Sequence, residues 1–123
     1  MIPVSFMKDN DYGETMFVTT FDTIMKEVHW VNTQNGWWDS NRGDPEAIAL
    51  IHSELSEALV GLQHGNPADD KIPEFSSAEA EMADTVIRIM DLCYHRGWRL
   101  PEAVLRKIEF NRTRGHKHGG KKF

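Results

Sequence analysis

Residues 48–62, which read I-A-L-I-H-S-E-L-S-E-A-L-V-G-L, combine a helical apolar pattern with a pair of glutamates. Apolar side chains recur at intervals of three and four residues, as expected for one face of a helix. That face comprises Ile48, Ile51, Leu55, Ala58, Leu59 and Leu62. Glu54 and Glu57 lie on a second stripe, and residues three apart on a helix are surface neighbours, about 5–6 Å apart at Cβ. The stretch therefore predicts a helix with a core-facing apolar side and two adjacent carboxylates beside it.

A second segment repeats this arrangement. Residues 81–91, E-M-A-D-T-V-I-R-I-M-D, place Glu81 and Asp84 three residues apart, with an apolar stripe on the other side. Four carboxylates facing one another repel unless a cation lies among them, and an oxygen-only ligand set suits Mg²⁺ first and Mn²⁺ second. A di-iron site is a less favoured alternative because no Glu-x-x-His pair falls in either helix. The sequence thus predicts a divalent metal site between two helices.

Four helical segments account for most of the chain. Start and stop signals such as Thr20, Asp44-Pro45 and Gly97 delimit them. We expect helices over residues 20–34, 44–63, 78–95 and 101–112. The predicted fold is an all-α four-helix bundle that forms oligomers, since neighbouring copies would shield a charged inner cleft.

Length and charge restrict the possible classes. With 123 residues, 40% of them hydrophobic, the chain suits one globular domain. We divide it into an N-terminal arm (1–19), a helical domain (20–112) and a basic tail (113–123). The net charge is −5, yet residues 110–123 contribute +5, which leaves −10 on the rest and argues against stable nucleic-acid binding.

Two further features bear on location. No apolar run approaches the roughly 18 residues of a membrane span, so we expect no membrane association. The single cysteine, Cys93, excludes an intrachain disulfide and fits a reducing cytoplasm. The cytoplasm would be that of the host if a phage encodes the chain.

His29, Trp37 and Trp38 are candidates for a binding surface. His29 lies at the edge of the first helix's apolar stripe, where the simplest interpretation is a half-buried, hydrogen-bonded histidine. The adjacent tryptophans lie in a polar loop. They are interpreted first as a lid over the core, because tryptophan is usually largely buried. The alternative is a stacking surface for a flat ring such as a nucleobase.

Residues 20–123 resemble the MazG-like, all-α nucleoside triphosphate pyrophosphohydrolases. They are similar in particular to short single-domain members from phages and bacteria and to the deoxycytidine triphosphatase branch. The matching motifs are V-H-W-V-N-T-Q-N-G-W-W-D, I-A-L-I-H-S-E-L-S-E-A-L, E-M-A-D-T-V-I-R, L-P-E-A-V-L-R-K-I-E-F-N-R-T-R and K-H-G-G-K-K-F. The resemblance implies Mg²⁺-dependent hydrolysis of (deoxy)nucleoside triphosphates to monophosphate and pyrophosphate, by a homodimer or homotetramer.

The resemblance also assigns roles to residues. The metal ligands would be Glu54, Glu57, Glu81 and Asp84. His29 and Trp38 would contact the base, Lys107 and Asn111 would contact phosphate and sugar, and Arg114 would contact phosphate. Arg88 and, in the tail, Lys121 would also contact the substrate. Glu57 is our first choice for the base that orients the attacking water, and Glu54 is an equally plausible candidate.

Two positions depart from the deoxycytidine triphosphatase pattern. His64 stands where those enzymes have a tryptophan, and Arg88 stands where they have a tyrosine. Both changes touch the expected substrate cleft, so the preferred base stays open. An alternative from another class is a helical module that binds nucleotides or a partner protein without hydrolysis, in which the carboxylates are structural.

Overall fold

The chain forms four α-helices and no strand within residues 11–114, the part that the computed structural model describes. The helices are α1 (Asp11–Gln34), α2 (Asp44–Gln63), α3 (Ser77–Arg96) and α4 (Leu100–Arg112). This confirms the all-α prediction. The first ten and the last nine residues, including Lys121 and most of the predicted basic tail, lie outside the described part.

Helix α1 begins at Asp11, so the predicted start at Thr20 is wrong. The reason is that the apolar stripe continues upstream at one-turn spacing. The rings of Phe17 and Phe21 lie 5.5 Å apart, and Met25, one turn further on, is buried. Residues 11–19 of the predicted arm therefore form the first part of α1.

Both ends of α3 are capped by residues close in sequence, and Gly97 was predicted as the stop signal. The Ser76 hydroxyl accepts a hydrogen bond from the Glu79 N–H, and the Glu79 carboxylate accepts one from the Ser76 N–H, which makes a capping box. Gly97 ends the helix with φ of 72°, a left-handed conformation that glycine adopts readily. Asp44, predicted as the N-cap of α2, is instead its first residue and accepts a hydrogen bond from Arg96 Nε at 2.6 Å.

Helix α3 packs against both α2 and α1, while α4 packs against α1. Small residues line the α2 side of the seam between α2 and α3, where Ala47, Ala58 and Gly61 are buried. A Cβ atom at Gly61 would lie only 2.5 Å from the hydroxyl oxygen and 3.0 Å from the Cβ atom of Ser77, so a larger residue there would clash with the Ser77 side chain. This close packing places Glu54, on the same face of α2, inside the seam at 7% exposure.

The large apolar side chains of α2 and α3 point largely away from this seam. Ile48, Leu55, Leu59 and Leu62 are between 41% and 57% exposed, so their assignment to the core is wrong. Met82 and Val86, which belong to the apolar stripe of α3, are also exposed. The two helices meet through their polar and small residues, which leaves an apolar surface on the outside. None of the helices between residues 11 and 114 is long and apolar enough to cross a membrane.

Candidate functional site

Three carboxylates meet in the seam between α2 and α3. Glu54, Glu57 and Glu81 each offer an oxygen atom, and these atoms all lie within 4.8 Å of one another. Glu54 is buried, Glu81 is half-buried and Glu57 is exposed. We call these three residues the acidic cluster. Its oxygen-only ligand set could hold a metal ion, as predicted, and it contains no histidine.

Glu81 carries the strongest electrostatic perturbation in the acidic cluster. Burial raises the pKa of its carboxyl group to about 8, helped by hydrogen bonding to Glu54 and Glu57 and by their negative charges. Its Oε2 atom is buried and has no hydrogen-bond partner among the described residues. Near neutral pH Glu81 therefore retains its proton in this arrangement, which limits the repulsion among the three carboxyl groups.

Glu54 is stabilised as an anion by Arg88. Burial alone would raise the pKa of Glu54, but the Arg88 hydrogen bond and charge, together with hydrogen bonds to the two neighbouring glutamates, hold it below its ordinary value. The bond runs from Arg88 Nε to Glu54 Oε1 at 2.6 Å. A charge-assisted contact of this length is among the stronger hydrogen bonds in proteins. The acidic cluster thus combines a charged Glu54 with a neutral Glu81.

Asp84, the fourth predicted ligand, is not a member of the acidic cluster. Its exposed side chain lies one turn after Glu81 on α3. Desolvation of the carboxyl group raises the pKa of Asp84, followed by the charge of Glu54, whereas the charge of Arg88 lowers it. Asp84 is therefore near enough to sense Glu54, and its role as a ligand stays a prediction.

A second polar centre lies on α3, around Asp91, which is only 1% exposed. The Asp91 carboxylate lies 2.8 Å from His29 Nδ1 and accepts hydrogen bonds from Asn32 Nδ2 at 2.9 Å and from Trp38 Nε1 at 3.1 Å. A buried carboxylate needs such donors because its desolvation is costly. Asp91 thereby fixes the positions of His29 and Trp38, and it confirms the interpretation of His29 as a half-buried, hydrogen-bonded histidine.

The two tryptophans of the loop after α1 both have protein partners. The Trp38 ring stacks on His95 at 3.7 Å with an interplanar angle of 4°, and burial, followed by the charge of His29, lowers the pKa of His95. The Trp37 ring lies beneath the guanidinium groups of Arg42 and Arg88, at 4.1 and 4.3 Å. These contacts favour the lid interpretation, since at least one face of each half-buried indole is covered. Base contact by Trp38 stays a prediction.

The predicted phosphate and sugar contacts lie in another part of the chain. Lys107, Asn111 and Arg114 are on or just after α4, whose main packing partner is α1. Lys107 Nζ and the Arg114 guanidinium lie over the Phe110 ring at 5.5 and 5.6 Å. They are thus not on the helix pair that carries the acidic cluster.

Sequence reasoning missed Asp91 and Arg42 as site-forming residues. Asp91 lies seven residues after Asp84, on the same side of α3, and the His29 and Asn32 pair was visible at the edge of the first helix. These spacings within α3 and within α1 were the features of the sequence that could have identified the polar centre around Asp91. They do not predict that α1 and α3 bring these groups together, because the contact spans 59 to 62 residues of chain.

Comparison of this chain with protein-family models, with curated proteins and with solved structures finds no match.

Proposed function

We propose that this protein is a Mg²⁺-dependent nucleoside triphosphate pyrophosphohydrolase of the MazG-like all-α type, acting as a homodimer or homotetramer. The observation that carries the proposal is the convergence of Glu54, Glu57 and Glu81 from two adjacent helices. These are three of the four residues that the E-x-x-E and E-x-x-D motifs assign to the metal.

The residues of the acidic cluster fit a hard divalent cation. All the atoms that could bind the metal are oxygen atoms. Glu81 Oε2 is buried and has no hydrogen-bond partner among the described residues, so it is available to bind a metal ion. Glu54, Glu57 and Glu81 would hold the ion, with Asp84 on the next turn of α3. When bound, Mg²⁺ would neutralise phosphate charge and lower the pKa of a bound water.

Glu57 is the best-placed general base. Glu54 is buried and bound by Arg88, and Glu81 is half-buried, whereas Glu57 is exposed and accessible to water. In the proposed reaction, water attacks the α-phosphorus in line with the leaving pyrophosphate. The new P–O bond forms as the α–β bridging bond breaks, and Glu57 accepts the proton of the water.

Substrate contacts are proposed by resemblance. His29 and Trp38, which Asp91 holds in place, would contact the base, and preorganised groups of this kind lower the cost of binding. Lys107, Asn111 and Arg114 would contact phosphate and sugar, and Lys121 would join them from the tail. Because α4 packs on α1 rather than on the acidic helices, the proposal places these groups at a site shared between subunits. The outward apolar residues of α2 and α3 support such an assembly.

The test is kcat/KM for each common NTP and dNTP with and without Mg²⁺, with the products identified. We expect monophosphate and pyrophosphate, formed only with Mg²⁺. Glu57→Gln should keep nucleotide binding and lose most turnover, while Glu46→Gln, on the same helix but outside the acidic cluster, should stay near wild type. Turnover of Glu57→Gln close to wild type would contradict the assignment of the base.

A second candidate is a module that binds nucleotides or a protein without hydrolysis. It is favoured by one observation: Arg88 Nε lies 2.6 Å from Glu54 Oε1, so a side chain of the protein already offsets part of the charge of the acidic cluster and the carboxylates can be structural. The same experiment separates the two functions. Nucleotide binding without pyrophosphate release under any metal condition would favour the second.

A further inference from the structure

Arg88 is fixed between the acidic cluster and an aromatic ring. Its Nε donates to Glu54 Oε1 at 2.6 Å, and the exposed fractions of the two side chains are 25% and 9%. Water therefore has little access to this ion pair. Because Arg88 and Glu54 belong to α3 and α2, the contact also crosses the seam that forms the acidic cluster.

Trp37 supports the other side of Arg88. The guanidinium carbon of Arg88 lies 4.3 Å from the centre of the Trp37 ring, a cation–π geometry. Trp37 is itself held by Arg42, whose guanidinium lies 4.1 Å from the same ring and whose Nη2 donates to the Trp37 carbonyl oxygen at 3.4 Å. Arg88 is thus restrained by both an anion and an indole, so its orientation toward Glu54 is well determined.

The Arg88 contact occupies one oxygen of a candidate metal ligand. Because Oε1 accepts the Arg88 hydrogen bond, a cation bound to both oxygens of Glu54 would lie beside the positive guanidinium group, so the second oxygen is the better ligand. Ca²⁺ takes six to eight oxygens and often binds both oxygens of a carboxylate, whereas Mg²⁺ requires a compact octahedral set and is bound by one oxygen per carboxylate. A carboxylate restricted to one oxygen therefore disfavours Ca²⁺ more than Mg²⁺.

We propose that Arg88 is a specificity-determining residue: by holding Glu54 Oε1, and being held in turn by Trp37, it limits Glu54 to one-oxygen ligation and makes the acidic cluster select Mg²⁺ over Ca²⁺. This inference rests on the proposed metal site. It assigns Arg88 a positioning role toward the metal in place of the substrate contact suggested by its position in the motif.

The experiment is calorimetric titration of the nucleotide-free protein with Mg²⁺ alone and with Ca²⁺ alone. Arg88→Met removes the contact and keeps an unbranched side chain, and Arg106→Met, on α4, is the matched control. We expect Arg88→Met to raise the ratio of Ca²⁺ affinity to Mg²⁺ affinity about tenfold relative to wild type. This change is equivalent to about 1.4 kcal/mol. The control should leave the ratio unchanged.

Trp37→Leu provides a second variant that keeps the charge of Arg88. It loosens the support of Arg88, so the Ca²⁺/Mg²⁺ affinity ratio should rise in the same direction but by less. Circular dichroism would show whether Arg88→Met folds. If it does not fold, Trp37→Leu alone tests whether the contact of Arg88 with Glu54 sets the Ca²⁺/Mg²⁺ affinity ratio.

The possible outcomes separate this inference from the proposed function. An equal rise in affinity for both ions would mean that Arg88 acts only through its charge, and an unchanged ratio in both variants would mean that it has no such role. Either result overturns the selectivity inference and leaves the metal site in place. If wild type and variants bind neither ion, the proposed metal site fails, and the inference fails with it.

Discussion

Replacing Asp91 with alanine removes one acceptor that three side chains share, and we expect a large loss of stability. His29 Nδ1, Asn32 Nδ2 and Trp38 Nε1 all lie 2.8–3.2 Å from the Asp91 carboxylate oxygens. A hydrogen bond to a charged group contributes about 1.5–3 kcal/mol. The donors are only partly buried, so water replaces part of what is lost, and the expected cost of Asp91→Ala is about 3–5 kcal/mol.

The assay is urea denaturation followed by far-UV circular dichroism, at one fixed protein concentration because any self-association would add to the apparent stability. A loss of this size is a large part of the roughly 5–15 kcal/mol that stabilises a typical domain. Asp91→Asn keeps one acceptor oxygen and should therefore lose less than Asp91→Ala.

Asp84→Ala is the matched control, since it makes the same change two turns earlier on α3. Asp84 is exposed, and desolvation followed by the charge of Glu54 raises its pKa, so its charged form is disfavoured in the folded state. Asp84→Ala should leave stability unchanged or slightly higher. A cost of less than about 1 kcal/mol for Asp91→Ala, or a cost equal to that of the control, would refute the reasoning that Asp91 organises its three donors.

Three further predictions address other parts of the fold. The pKa of the Glu81 carboxyl group is raised to about 8. Between its ordinary value of 4.5 and about 8, the folded chain binds a proton that the unfolded chain has lost. The free energy of unfolding, measured with a metal chelator present, should therefore fall as the pH rises through this window. Glu81→Gln should make the midpoint of urea denaturation depend less on pH. An unchanged pH dependence would contradict the titration of Glu81. Gly61→Ala should lower the free energy of unfolding by about 1–3 kcal/mol, because the new Cβ atom would lie 2.5 Å from Ser77 Oγ. Adding Ser77→Ala should recover part of this loss. A Gly61→Ala variant as stable as wild type would show that α2 and α3 pack less closely than described. Leu59 and Leu62 are more than half exposed, so in the proposed homo-oligomer replacing both with lysine should shift the sedimentation coefficient toward that of a monomer. An unchanged coefficient would contradict a subunit contact at these residues.

Local chemistry made the helices predictable. Ser76 with Glu79, and Gly97, form a capping box and a left-handed helix end because these devices depend only on residues close in sequence. The spacing of the glutamates was equally local, so the proximity of Glu54 and Glu57 to Glu81 followed once the two helices were assumed to be adjacent.

The orientation of the helices was harder to predict. Apolar periodicity identifies which face is apolar, but the α2–α3 seam uses Ala58, Gly61 and Glu54, while Leu59 and Val86 lie outside. A close approach of two backbones favours small residues, and periodicity does not measure the distance between helices.

Long-range pairings were the part that the sequence did not reveal. Arg88 could be recognised as a departure from a motif, but its bond to Glu54 joins residues 34 apart and depends on the relative rotation of α2 and α3. The role of Asp91 could not be predicted locally because its three donors come from α1 and the loop that follows it.

Anomalous diffraction from crystals grown with Mn²⁺ and a non-hydrolysable dNTP analogue would show whether the acidic cluster binds a metal ion together with a nucleotide. We expect a manganese peak bound by carboxylate oxygens of Glu54, Glu57 and Glu81, with the phosphates of the analogue against it. A peak at another place, or an analogue bound away from the acidic cluster, would contradict this expectation.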